Sequence, residues 1–228
     1  SNVLMTRTPD AHFLVEARHN GTKVVVFSPD FSQTSKVADE WIPLHQGSDA
    51  AFWMSVGHVI LRENYADRRV PAFQDYMRQY TDAAFLVTLE KQPSGSYRAG
   101  RLLRASQLAV TREQENADWK FFVVDETTSE LRMPKGTVGH RWQKKKGAWN
   151  LKLEDCISNQ PIRPALELKD RADGTAAVEV ADFTDGTNSR VMTRHVPVRV
   201  VETVHGPVFV TTVMELYFAQ YGVNRGFE

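Results

Sequence analysis

Two aspartates stand where a carboxylate can do more than solubilise a turn. Asp30 closes Ser28-Pro29-Asp30, and Asp49 closes Gln46-Gly47-Ser48-Asp49. Each follows a short apolar run and sits beside glycine, proline or serine. A carboxylate so placed accepts from paired N–H donors, such as the N1–H and N2–H of a guanine, or from ribose hydroxyls. The residues alone equally allow Asp30 as a turn former and Asp49 as a first-turn helix acid. Other chemistry is sparse. The seven histidines form no His-x-x-x-His or His-Glu-x-x-His pair, which argues against a metal site. Cys156 follows Glu154-Asp155, whose charges disfavour a thiolate nucleophile. Lys144-Lys145-Lys146, between Trp142 and Trp149, suits a solvated turn better than a nucleic-acid contact. GxSxG, P-loop and GxGxxG motifs are absent from the sequence, so no catalytic or metal-ligating set is legible.

Positioning the two aspartates takes a strand, a loop, a second strand, a second loop and a helix. Residues 23–27 are an apolar, β-branched run between Asn20-Gly21 and Ser28-Pro29-Asp30, which predicts a strand buried on both faces. Residues 41–44 form a second run leading into His45-Gln46-Gly47-Ser48. From Asp49 to about Asn64 the period is helical, with Phe52, Val56, Val59 and Ile60 on one face and Ser48 as N-cap. Sheets of this kind bind ligands at the carboxyl ends of their strands. Thr8-Pro9-Asp10 opens an earlier helix, with Phe13, Leu14 and Ala17 as its buried stripe and Asn20-Gly21 as its stop.

Residues 32–39 suggest one or two helical turns. His58 is expected to be a core residue with a hydrogen-bond partner. Residues 72–80 predict a helix with Phe73, Tyr76 and Met77 inward, residues 85–90 a strand, and residues 101–108 a short helix. From Thr111 the pattern becomes β-rich: 120–124 reads as a strand, and 176–181 and 191–201 alternate as strands do. Ala172-Asp173-Gly174 and Asp185-Gly186-Thr187-Asn188 are turns. A hairpin turns at His205-Gly206-Pro207, and a final helix over 212–221 stops at Gly222. No repeat with a period of 20–50 residues is expected. The fold class is therefore α/β, a Rossmann-like nucleotide-binding unit with a β-rich insertion. Its expected parts are a cofactor-binding unit over 1–110, an insertion over 111–197, and a hairpin and helix over 198–228.

Composition sets the outer bounds. The 228 residues carry 28 Lys and Arg against 28 Asp and Glu, and zero net charge disfavours a polycationic nucleic-acid binder. One cysteine leaves no disulfide framework. Neither a membrane-length apolar run nor a signal peptide is visible. Beginning at Ser1 and passing almost at once into a helix start, the sequence looks excised from a longer one.

Together, Ser28-Pro29-Asp30, Ala38-Asp39 and Gln46-Gly47-Ser48-Asp49-Ala50-Ala51 resemble the molybdopterin-dependent oxidoreductases. There the pattern runs Asp-Pro-Arg or similar, then Ala-Asp, then Pro-Gly-Thr-Asp-Ala-Ala. Ser1-Asn2-Val3, the stretch Thr6-Arg7-Thr8-Pro9-Asp10-Ala11-His12-Phe13 and Arg78-Gln79-Tyr80-Thr81-Asp82 are similar to the catalytic (alpha) subunits of respiratory nitrate reductases. Gly139-His140-Arg141-Trp142 and Val210-Thr211-Thr212-Val213 extend the likeness nearly end to end.

The resemblance implies that Ser28, Pro29, Asp30, Gln46, Gly47, Ser48 and Asp49 contact the guanosine half of a molybdopterin guanine dinucleotide (bis-MGD, molybdenum). It also implies that Ser1, Asn2 and Thr6 approach the cofactor's phosphates, where the helix opened by Thr8 favours an anion. The implied reaction is reduction of nitrate to nitrite in anaerobic respiration. The family's iron–sulfur cysteines and molybdenum-ligating aspartate fall before residue 1, so the isolated chain is expected to be inactive. An iron–sulfur beta subunit and a membrane gamma subunit are the implied partners, with cytoplasmic placement against the cell membrane. The alternatives are a nitrite-oxidising relative, or a stand-alone nucleotide-binding module without redox activity.

Overall fold

A computed structural model describes residues 3–135, 152–182 and 190–223. Ser1, Asn2, the Lys144 patch, the Gly139 segment and the Asp185 turn lie outside the described residues. The chain divides into two units, one up to Met54 and one from Ser55. The expected boundaries at 110 and 197 thus both fall inside the second unit.

In the first unit, α1 (Val3–Thr6) and α2 (Thr8–His19) precede β1 (Val25–Phe27). Pro9 near the start of α2 and Gly21 at φ +89° just past its end mark the two termini as expected. A crossover with a single 3-10 turn (Thr34–Val37) leads to β2 (Glu40–Ile42), which pairs parallel with β1 in the register Val25↔Glu40 to Phe27↔Ile42. Helix α3 (Asp49–Leu61) begins in this unit. Several burial expectations fail. Phe13 is 63% exposed, and Phe27 on β1, a strand expected to be buried on both faces, is exposed. The periods find the apolar faces, but among the described residues no layer covers them; Val24 is the unit's only buried apolar side chain.

The second unit has a core of its own. Its α3 portion runs into a π-helix (Arg62–Asp67), then α4 (Pro71–Tyr80). A closed five-stranded barrel follows the order β10-β11-β3-β4-β9, with β3 Leu86–Lys91, β4 Tyr97–Leu102, β9 Gly174–Asp182, β10 Arg190–Thr203 and β11 Gly206–Thr212. Hairpins join β3 to β4 and β10 to β11, and a single parallel pairing, Tyr97↔Val178, closes the ring. The helix expected over 101–108 is instead the end of β4 and a 3-10 turn (Ala105–Gln107). On α4, Tyr76 points outward, 57% exposed, while Arg78 is buried, donating from Nε to the Pro164 carbonyl at 2.9 Å and from a terminal nitrogen to Glu126 at 2.8 Å.

Helix α5 (Val213–Tyr221) follows the barrel. The Thr212 hydroxyl accepts from the Glu215 N–H at 3.1 Å, and Gly222 at φ +67° stops the helix. His58 has the hydrogen-bond partner expected of it, the Tyr221 carbonyl at 2.8 Å, but is half-buried and not a core residue. Gly57 permits that approach, since a Cβ there would lie 2.3 Å from the Tyr221 ring.

A repeat does occur, contrary to expectation. Four short strands, β5 (Val123–Val124), β6 (Leu131–Arg132), β7 (Pro134–Lys135) and β8 (Lys152–Asp155), frame two turns built alike. The Asp125 carboxylate accepts from the Thr128 N–H (3.1 Å) and hydroxyl (2.9 Å), as Asp155 does from the Ser158 N–H and hydroxyl (both 2.8 Å). Ser129 and Asn159 then take the left-handed conformation, at φ +59° and +58°. The turns also lock each other reciprocally. Asp125 accepts from the Arg163 N–H (2.8 Å) and Asp155 from the Met133 N–H (3.1 Å). Glu126 N–H donates to the Arg163 carbonyl and Cys156 N–H to the Met133 carbonyl, both at 2.7 Å. Prolines follow in step, Pro134 and Pro164. The repeat lies in hydrogen-bond roles more than in residue identity, which is why sequence periodicity misses it.

Candidate functional site

Because β1 and β2 run parallel, their carboxyl ends share one edge, and both candidate loops leave from it. Ser28 fastens the two together. Its N–H donates to the Ile42 carbonyl (3.3 Å), and its own carbonyl accepts from the Leu44 N–H (3.4 Å). The Trp41 indole N–H donates to the Ser28 hydroxyl (3.0 Å), which donates in turn to the Asp30 carbonyl (2.6 Å). Ser28 is half-buried in consequence, whereas Pro29 and Asp30 are exposed.

The second loop is shaped by one turn. Gly47 takes φ +82°, a left-handed conformation that a Cβ would strain. Ser48 donates to the His45 carbonyl through both its N–H (3.2 Å) and its hydroxyl (2.6 Å). Its carbonyl accepts the first bond of α3, from the Phe52 N–H at 2.9 Å, and Asp49 is the first helical residue. Ser48 thus ends the loop as expected, although its hydroxyl proton goes back to the turn. Gln46, Gly47 and Asp49 are exposed. The first N–H groups of α3 and the two carboxylates leave this edge open to a ligand that needs acceptors and donors together.

Thr6, at the end of α1, is exposed. The same short helix reaches the crossover, where Leu4 N–H donates to the Thr34 hydroxyl at 3.3 Å. The structure therefore brings Ser28, Pro29, Asp30 and the 46–49 turn to one edge, with α1 beside the crossover that joins the strands. Ser1 and Asn2 lie outside the described residues.

Asp39 is the residue whose job the sequence did not reveal. Its carboxylate accepts from the Val24 N–H (2.8 Å) and from two guanidinium nitrogens of Arg18 (3.0 and 2.9 Å), tying the end of α2 to the start of β1. The Val24 N–H, and then Arg18, hold its carboxyl below the usual range. A basic residue in the last turn of α2 was the available signal. Among the described residues no three His, Cys, Asp or Glu side chains cluster as metal ligands, and no helix is long and apolar enough to cross a membrane.

Comparison with known proteins adds the chemical context. The molybdopterin oxidoreductase family matches residues 1–192. The nitrate reductase alpha chain of Bacillus subtilis (strain 168) is 43% identical across 99% of this chain and 18% of its own length. The respiratory nitrate reductase 2 alpha chain of Escherichia coli (strain K12) is 39% identical, covering 100% and 19%. The perchlorate reductase subunit alpha of Dechloromonas aromatica (strain RCB) is 30% identical, covering 86% and 20%. The chain therefore spans about a fifth of the length of these relatives.

Proposed function

The chain belongs to the molybdopterin oxidoreductase family, and from that premise we propose that it is the guanosine-holding part of the catalytic subunit of a nitrate reductase. The observation that carries this reading is the shared edge of β1 and β2, from which the Ser28 and Gly47 loops leave together. Their hydrogen-bonding groups fit a guanosine. Asp30 and Asp49 present exposed carboxylates to the N1–H and N2–H of the base or to ribose hydroxyls. Gly47 makes the turn that starts α3, whose first N–H groups and dipole favour an anionic oxygen. When bound, molybdenum and its pterins supply two-electron oxygen-atom chemistry, and this chain orients the cofactor.

On this reading the first unit is part of a Rossmann-like layer, the cofactor is molybdopterin guanine dinucleotide, and the whole protein reduces nitrate to nitrite in anaerobic respiration. An iron–sulfur cluster elsewhere in the protein, an iron–sulfur beta subunit and a membrane gamma subunit complete the electron path, at the cytoplasmic face of the membrane. The relatives' names support nitrate as substrate.

The test is Asp49→Ala in the full-length catalytic subunit, with pterin measured per protein. Pterin should fall sharply, because the guanine loses a charge-assisted acceptor for its N1–H and N2–H. The same substitution in the 228-residue chain should move its melting temperature by only about 4 °C or less. Unchanged pterin occupancy would make Asp49 a helix-start acid and refute the guanosine assignment.

A further inference from the structure

Asp30 is followed at once by an aromatic ring to which the reading above gives no part. Phe31 is 58% exposed, beside two loops whose other exposed residues are short or polar. Single exposed apolar side chains are ordinary on protein surfaces. What sets this one apart is that it is held in place.

The Asp30 carbonyl, immediately before the ring, accepts from the Ser28 hydroxyl at 2.6 Å and from the Ser32 N–H at 3.0 Å. Those bonds fix the backbone from which both the Asp30 carboxylate and the Phe31 ring project. The ring reaches β2 and meets Trp41 there, with centroids 5.3 Å apart and planes at 88°. Trp41 is itself fixed through its indole N–H on Ser28. Ser28 thus anchors the loop, the tryptophan and, through both, the phenyl ring. Val26 and Trp41 are register partners and share one face of the two-stranded sheet. Phe27 lies on the opposite face, where it meets Phe52 of α3 at 4.2 Å. A perpendicular contact uses an edge or one face of a ring, so at 58% exposure Phe31 keeps a face open beside Asp30.

We propose that the open face of Phe31 stacks on the guanine base whose N1–H and N2–H the neighbouring carboxylates accept. This rests on the guanosine reading and adds to it the group that holds the flat of the base. A nucleobase has an apolar face and a polar edge at right angles to it, and this edge of the sheet offers a fixed ring and exposed carboxylates side by side. A sugar or a phosphate would leave the ring in water. A purely apolar ligand would meet Asp30 with nothing to donate. Because Trp41 already holds the ring, little side-chain freedom is lost when the base arrives.

The experiment follows the loss of bound pterin from the full-length, cofactor-loaded catalytic subunit after dilution, by filtration and pterin fluorescence. Phe31→Leu keeps an apolar side chain against Trp41 but removes the aromatic face, and should release pterin about tenfold faster or more. The melting temperature of its cofactor-free form should stay at the parent value. Phe31→Tyr, which keeps the ring, should release at the parent rate. So should Phe13→Ala, which removes an equally exposed ring from α2. Asp49→Ala, run alongside, separates the two readings. If Asp49→Ala speeds release and Phe31→Leu does not, the carboxylate reading stands and stacking alone is refuted. If neither speeds release, the guanosine reading falls and the stacking falls with it. A lowered melting temperature in cofactor-free Phe31→Leu, or equally fast release in Phe13→Ala, would reduce the ring to packing and also overturn the proposal.

Discussion

The two units keep their shape by different means. The second packs Leu86, Leu103, Leu166, Leu168, Val178, Met214 and Phe218 to near-complete burial around and beneath its barrel. Its barrel has few open strand edges, and each terminus of α5 is capped. The first buries Val24 alone among its apolar side chains and relies on polar ties: Ser28 between two loops, and Asp39 between α2 and β1. A two-stranded parallel sheet of three-residue strands is marginal by itself. The loops proposed to hold the cofactor thus sit on the more weakly held unit, where a bound group contributes order.

The largest expected effect separates the units by core. Leu86→Ala removes a fully buried side chain from β3 and should destabilise the 228-residue chain by about 2–5 kcal/mol. Phe13→Ala, on an exposed face of α2, should stay within about 0.5 kcal/mol. Urea midpoints for both variants make the comparison. A Phe13 cost equal to that of Leu86 would mean that the first unit has a core of its own.

Next in size come the paired turns inside the second unit. Asp125 and Asp155 are both buried. For each, burial pushes the carboxyl upward, but the donors outweigh it and hold it below the ordinary range: Arg163 and Thr128 for Asp125, Ser158 and Met133 for Asp155. Asp125→Asn and Asp155→Asn should each cost about 1.5–3 kcal/mol, the worth of a charge-assisted bond. Because the turns lock each other, the double variant should cost less than the sum of the two. With folded-state pKa values depressed, this stabilisation is complete above the unfolded carboxyl pKa and is lost as pH falls through the folded values. Urea midpoints from pH 7 down to pH 3 should therefore fall more steeply for the parent chain than for the double variant. Parallel curves would show that these carboxylates do not couple folding to pH.

What the sequence made legible was local. The β10–β11 hairpin, the Thr212 and Gly222 ends of α5, and the strand–loop–strand–loop–helix order around Asp30 and Asp49 all rest on turn and capping residues within a few positions. What it hid was mostly non-local. The barrel pairs β3 with β11, more than a hundred residues apart, and no short pattern names a strand's partner. Periodicity found the apolar faces bearing Phe13 and Tyr76 without showing whether anything covers them. Buried Arg78 was hidden because its partners, Pro164 and Glu126, come from distant turns. Of the candidate site, the loops and their common edge were legible from the residues. Asp39 was read as part of a motif and not as the clamp it is.

That clamp yields the smallest effect and the sharpest local contrast. Asp39 accepts from the Val24 N–H and from Arg18, so Asp39→Ala should release α2 from β1 without touching the barrel. In hydrogen exchange the Val24 amide should exchange about tenfold faster or more, because its acceptor is gone and opening of the unit becomes local. The amides of Leu103 and Val210, in or beside the barrel, should keep their parent rates. The urea midpoint, dominated by the second unit, should hardly move. In the parent chain the Asp39 carboxyl is held low by Val24 and Arg18, so the tie persists at neutral pH and weakens as acid reaches that lowered range. Val24 exchange in the parent, corrected for the intrinsic pH dependence of the amide, should then approach that of Asp39→Ala only in acid. If the variant instead speeds Leu103 and Val210 as much as Val24, the two units open as one, and the contrast between a polar-tied site and an apolar core fails.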